Sequence, residues 1–262
     1  MIAQILEWLT TASSWTGQRG ILNRLVEHLF YSGIVLAATC AIAIPLGLYI
    51  GHTARANWAV TLANAARAIP TLGLLFAITL WLGPQISGQL AFVIPSIAVL
   101  VLLAIPPVLS GAYAGVASVD PAARDAAKGV GMTPLQVLRR VEIPCALPLL
   151  ISGIRAATLQ VIATATIAAY VGLGGLGRYL IDGLATGNYV VTAGGALLVA
   201  ALALAIDGVL ALIERAAVSP GLTGRHGGNT GVVPDPPAEP DAEPAGGPGS
   251  VPPGRTRHTV VE

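Results

Sequence analysis

The chain has 262 residues, of which 54% are hydrophobic and 10% charged, with a mean hydropathy of +0.74. Soluble domains cover themselves with roughly 25% charged residues, so this composition excludes an ordinary water-soluble globule. A net charge of +1 argues against a nucleic-acid partner, which needs a clustered basic face. Cys40 and Cys145 are too few and too far apart for a zinc site or a disulfide framework, and no metal site is expected.

The chain start lacks the basic n-region and cleavage site of a signal peptide. Ile21, Leu22, Leu25, Val26 and Leu29, set against Arg24, Glu27 and His28, repeat at helical spacing. Residues 1–31 therefore read as an amphipathic interfacial segment. A helix needs roughly 20 apolar residues to cross a bilayer, and five stretches supply them: about 33–50, 58–82, 90–116, 146–171 and 189–213. The second is the least clean, because Arg67 precedes Ile69-Pro70-Thr71; it is taken as one kinked span, with an interfacial turn followed by a short span as the alternative. Pro70 and Thr71 are candidate pathway residues, since a proline kink exposes backbone, with simple helix packing as the alternative. Arg67 is expected to snorkel to the inner headgroups.

Arg155 and Asp207 are the ionisable residues set deepest in predicted spans. An intramembrane charge is a functional candidate by default; the alternatives are that the two pair across helices or that Asp207 is hydrated near the inner face. Trp58, Trp81, Tyr170 and Tyr179 suit interfacial anchoring better than cation–π binding of a quaternary ammonium. Small-residue runs at Ser152-Gly153 and Gly194-Gly195-Ala196 allow close helix contact and fit a dimer. Gly172-Leu-Gly174-Gly175-Leu-Gly177 matches a dinucleotide-binding pattern in letters, but the preceding apolar span favours a tight turn. Residues 216–262 are expected to form a disordered tail. From Ser219 onward they hold 9 Pro and 9 Gly, too little apolar surface to offset chain entropy.

Lys and Arg concentrate on one side. Arg124, Lys128, Arg139 and Arg140 lie between spans three and four, Arg55 follows span one, and Arg215 and Arg225 follow span five. With that side cytoplasmic, the N-terminus is outside and the C-terminus inside.

The loop at 117–145 carries the strongest local punctuation. Asp120-Pro121 is a cap-and-proline helix start, Gly131 permits a turn, Thr133-Pro134 repeats the start, and Pro144 is expected to stop the second helix before the next span. Asp125-Ala126-Ala127, then Gly131, then Val141, Ile143 and Pro144, resemble the "EAA" loop of ABC importer membrane subunits, E-A-A-x3-G-x9-I-x-L-P. The spacing agrees throughout, with Asp for Glu and Val and Ile for Ile and Leu. The resemblance implies that Asp125, Ala126, Ala127, Gly131 and Pro144 form a coupling element docking on a cytoplasmic ATPase.

Arg67 to Thr71, Gly153 to Tyr170 and the turn to Tyr179 are similar to the permease subunits of osmoprotectant importers, over roughly residues 20–215. That resemblance implies an all-α, MetI-like five-span bundle (32–215) in a bacterial plasma membrane. It further implies a second permease subunit, identical or paralogous, and a separate extracytoplasmic binding protein. The cargo it implies is glycine betaine, choline, carnitine or proline. No Walker A sequence occurs in the chain, so ATP would be bound by the partner; neither a cofactor nor catalytic residues are expected. The alternatives are an importer permease for methionine or a sulfonate, and an ion-coupled transporter using Asp207.

Overall fold

The structure, a computed structural model, describes residues 1–217, and every regular element among them is helical. Two short helices, α1 (Ile2–Thr10) and α2 (Ala12–Trp15), precede α3 (Ile21–Thr53). A turn leads to α4 (Asn57–Ala65), α5 (Thr71–Leu82) and α6 (Leu90–Ala117). The loop helices α7 (Pro121–Gly129) and α8 (Pro134–Val137) feed α9 (Ile143–Ala168), and α10 (Gly177–Ala185) leads into α11 (Tyr189–Ala217). Four stretches are long and apolar enough to cross a membrane: α3, α6, the run Pro134–Val171 and α11. The bent pair α4–α5 makes a fifth crossing when taken as one span. The tail expected beyond α11 lies outside the described residues.

Three sequence expectations need correction. Residues 21–31 are not separate from the first span, because α3 is one unbroken helix of 33 residues. Its first turns are held by the glycine turn after α9: Glu27 Oε2 accepts from the Gly175 N–H at 2.9 Å and pairs with Arg24 at 2.8 Å. Second, residues 58–82 are not a continuous helix with a mild kink. The chain turns by 95° between Asn57–Ala68 and Thr71–Gln85, because Pro70 donates no hydrogen bond and holds Ile69 extended at ψ 128°. At 12 residues, α5 alone reaches only about 18 Å. Third, Pro144 does not stop the loop helix. A wide π turn over Leu138–Glu142 lets the chain pass into α9, leaving Pro144 in its first turn, where a missing N–H costs little.

α6 lies at the centre, with 56% of its apolar stretch buried against 0% for α11. α3 and α9 pack on it through glycines. A Cβ on Gly47 would fall 2.6 Å from that of Ala112, and one on Gly153 would fall 2.7 Å from the Pro107 carbonyl oxygen. Such close approach lets backbones pack without a hydrophobic driving force between helices. Val35, Val99, Leu103, Val161 and Ala165 fill the core away from the α7 loop; Ala43, Ile50, Leu109 and Ala157 fill it nearer the loop. The other small-residue run, read as dimer-forming, is also used within the chain. Gly194 faces the Trp8 ring of α1 and Gly195 faces Tyr179 and Leu180 of α10.

Candidate functional site

The loop site is built from caps. Asp120 accepts from the Ala122 N–H at 2.8 Å and starts α7. Past its end Gly131 stands at φ 86°, and its N–H reaches the Lys128 carbonyl at 2.9 Å while that of Met132 reaches Ala127 at 3.1 Å. These are the paired bonds of a Schellman C-cap, whose left-handed residue is best supplied by glycine. Thr133 and Gln136 then form a capping box for α8. The result is a short, sharply bounded helix on which Asp125 and Ala126 are exposed, while Ala127 packs inward. Among the described residues, Asp125 has only an exposed ion pair with Lys128 at 3.3 Å. Val130 and Leu135, 76% and 56% exposed, put apolar surface beside it, and Pro144 is exposed on the first turn of α9.

Behind this surface lies a group that sequence reasoning missed. The Glu142 side chain, 2% exposed, receives His52 Nδ1 at 2.6 Å and Arg124 Nε at 2.9 Å. A carboxylate only accepts, so His52 Nδ1 carries the hydrogen. The Arg124 contact is an ion pair rather than a well-aimed hydrogen bond, and a second guanidinium nitrogen donates to the Val116 carbonyl at the end of α6. One buried carboxylate thus ties α7, the end of α3 and the start of α9. A cavity of about 280 Å³ adjoins it, lined also by Met132, Pro134 and Val137.

Within the spans the polar residues are joined across helices. Arg155 meets Asp207 through two bonds of 2.5 and 2.7 Å and Glu214 at 3.3 Å, tying α9 to α11. Of the readings open for Arg155 and Asp207, the structure realises the pair. Arg67 does not snorkel freely: it donates to Gln160 Oε1 at 3.2 Å, and Gln160 Nε2 donates to the Leu103 carbonyl at 2.7 Å. That carbonyl lost its helical partner because Pro107 has no N–H, so Gln160 repairs the break. Asn64 donates to Ser110 at 3.0 Å on the same side of α6. Asn64, Arg67 and Pro70 are exposed and Thr71 half-buried, so the break between α4 and α5 presents a polar strip that hydrocarbon alone would not solvate.

Of the four aromatic anchors, Trp58, Trp81 and Tyr170 are exposed. Tyr179 donates to the Arg19 carbonyl at 2.6 Å and meets Trp8 edge-to-face at 5.3 Å. Burial pushes the Tyr179 hydroxyl above the usual tyrosine range, which keeps it a donor. The glycine run forms the expected turn, with Gly172 and Gly175 at positive φ.

Comparison with known proteins decides the class. The family described as "Binding-protein-dependent transport system inner membrane component" matches residues 43–219. The chain belongs to this family. As a member it is a multi-pass membrane permease component and not an enzyme. It is 35% identical over 205 residues to the glycine betaine/carnitine/choline transport system permease protein OpuCB of Bacillus subtilis (strain 168), covering 78% of this chain and 91% of that one. It is 34% identical over 218 residues to the carnitine transport permease protein OpuCD of Listeria monocytogenes serotype 1/2a (strain 10403S), covering 82% and 92%. Among solved structures, a chain of the MetNI methionine ABC transporter, inward facing, superposes with a TM-score of 0.64 at 23% identity, covering 76% of this permease and 96% of that chain. That likeness places the helical bundle in the MetI-like fold.

Proposed function

We propose that this permease is the transmembrane subunit of an ATP-driven importer for a small osmoprotectant: glycine betaine, choline, carnitine or proline. The names of the relatives support the cargo, and their near-complete coverage supports the whole architecture. A cytoplasmic ABC ATPase docks on the exposed side of α7, against Asp125, Ala126, Val130 and Leu135, and binds the ATP. A second permease subunit, identical or paralogous, closes the pathway over the polar strip at Asn64, Arg67, Pro70 and Thr71. A separate binding protein delivers cargo at the opposite face. The N-terminus is outside the bacterial plasma membrane and the C-terminus inside.

The observation that carries this reading is the Glu142 junction. A force on α7 passes through Arg124 and Glu142 to His52 on α3, and through the unbroken Pro134–Val171 run to α9. Gln160, on α9, holds both Arg67 and the proline break of α6, so motion of α9 reaches the strip. The ion-coupled alternative is disfavoured because Asp207 already has a bidentate partner in Arg155. The test is uptake of labelled glycine betaine by proteoliposomes holding the permease, its ATPase and the binding protein. ATP-dependent uptake that disappears in Gly131→Val, with the bundle still folded, supports the proposal; uptake driven by an ion gradient without ATP overturns it.

A further inference from the structure

We infer that the cavity at the end of the bundle away from α7 is a subsite for a small zwitterion bearing a quaternary ammonium and a carboxylate. This rests on the importer reading above and adds the residues that hold the cargo. The cavity has a volume of about 400 Å³, where the end of α5, the start of α6 and the turn after α9 meet. That is ample for a molecule the size of glycine betaine or carnitine.

One part of its wall suits the cation. Phe76, Phe92 and Tyr170 line the cavity, so two of the chain's three phenylalanines gather here. They are 44%, 48% and 51% exposed, and among the described residues no carboxylate lines the cavity. Aromatic faces without a carboxylate favour a permanently charged, weakly hydrated ammonium over a metal ion or primary amine, which would forfeit stronger hydration.

The remaining wall suits the anion. Arg178 is fixed by Asp182 at 2.5 and 3.2 Å and by the Ala169 carbonyl at 3.2 Å. Thr79 also lines the cavity, and its hydroxyl is buried without a hydrogen-bond partner among the described residues. Thr158 and Thr164 turn back to the carbonyl four residues earlier at 2.8 Å; Thr79 does not, and among the described residues it shares an unpaired buried hydroxyl with Thr39 of α3, which lines no part of this cavity. A buried hydroxyl left unpaired requires an explanation, and a carboxylate held by Arg178 and Thr79 supplies one. Glycine betaine and carnitine use both parts of the wall; choline, lacking a carboxylate, uses only the rings.

The test is saturation-transfer NMR on the assembled transporter in nanodiscs, with the binding protein omitted, using glycine betaine, choline and 3,3-dimethylbutyrate, which keeps the shape without the positive charge. Wild type should bind the first two saturably and the third not at all. Phe76→Leu with Tyr170→Leu, at exposed positions that tolerate the change, should weaken both ligands at least fivefold. Thr79→Val should weaken glycine betaine about fivefold and leave choline within twofold. Binding of 3,3-dimethylbutyrate as tight as betaine, no saturable signal because lipid fills the space, or equal effects of Thr79→Val on both ligands overturns the inference. Parallel uptake separates the two readings: wild-type uptake of glycine betaine without saturable binding sinks the subsite alone, whereas absence of uptake sinks the importer reading with it.

Discussion

Glu142 concentrates the structural risk of the loop in one side chain. Removing one partner of a buried charge pair leaves the rest uncompensated, a loss of about 3–5 kcal/mol when burial is complete. His52 and Arg124 are 23% and 22% exposed, so Glu142→Ala should cost about 2–4 kcal/mol, read as a lower unfolding temperature of the purified permease. The triple variant His52→Leu, Arg124→Met and Glu142→Leu should recover most of that stability, since an apolar replacement of a whole buried ionic group is near neutral, yet leave ATP hydrolysis poorly coupled to uptake. Recovery of coupling together with stability would show the three-residue group to be packing only. At Gly131, φ 86° makes any side chain strained by about 1–2 kcal/mol; a β-branched one should distort the cap and abolish uptake while circular dichroism stays helical. The Asp120 and Gly131 caps were legible because capping is local. The His52–Glu142 contact joins residues 90 apart in sequence, and no nearby pattern announces it.

At the scale of elements, uninterrupted apolar runs revealed where the spans lie, because hydrocarbon thickness imposes their length. Their ends were less legible. α3 extends back to Ile21 because its amphipathic start has a partner, the turn at Gly172–Leu176, that only the fold supplies. Prolines were ambiguous for the same reason. Pro70 breaks a helix, Pro144 is absorbed by a π turn, and Pro107 is tolerated because Gln160 satisfies the freed carbonyl. Gln160→Leu should therefore cost about 1–3 kcal/mol, the penalty for an unsatisfied buried polar group, and release Arg67 as well. Thermal unfolding checks it, and Gln160→Glu, which cannot donate when ionised, should not rescue the loss.

Across the whole molecule, α3, α6 and α9 form a glycine-packed centre, while α11 is held by α10, α1 and the Arg155 pair. Asp207→Asn should loosen α11 but leave uptake dependent on ATP and insensitive to collapse of ion gradients; gradient dependence lost in that variant would revive the ion-coupled alternative. Everything in the importer account depends on where the ATPase grips. The most direct measurement is site-specific cross-linking in the assembled transporter from a cysteine at Ala126, with one at Gly187, in the turn between α10 and α11, as the control. The account predicts a cross-link to the ATPase from position 126 and none from 187. Cross-linking from 187 alone, or an ATPase that never assembles with the chain, would contradict it.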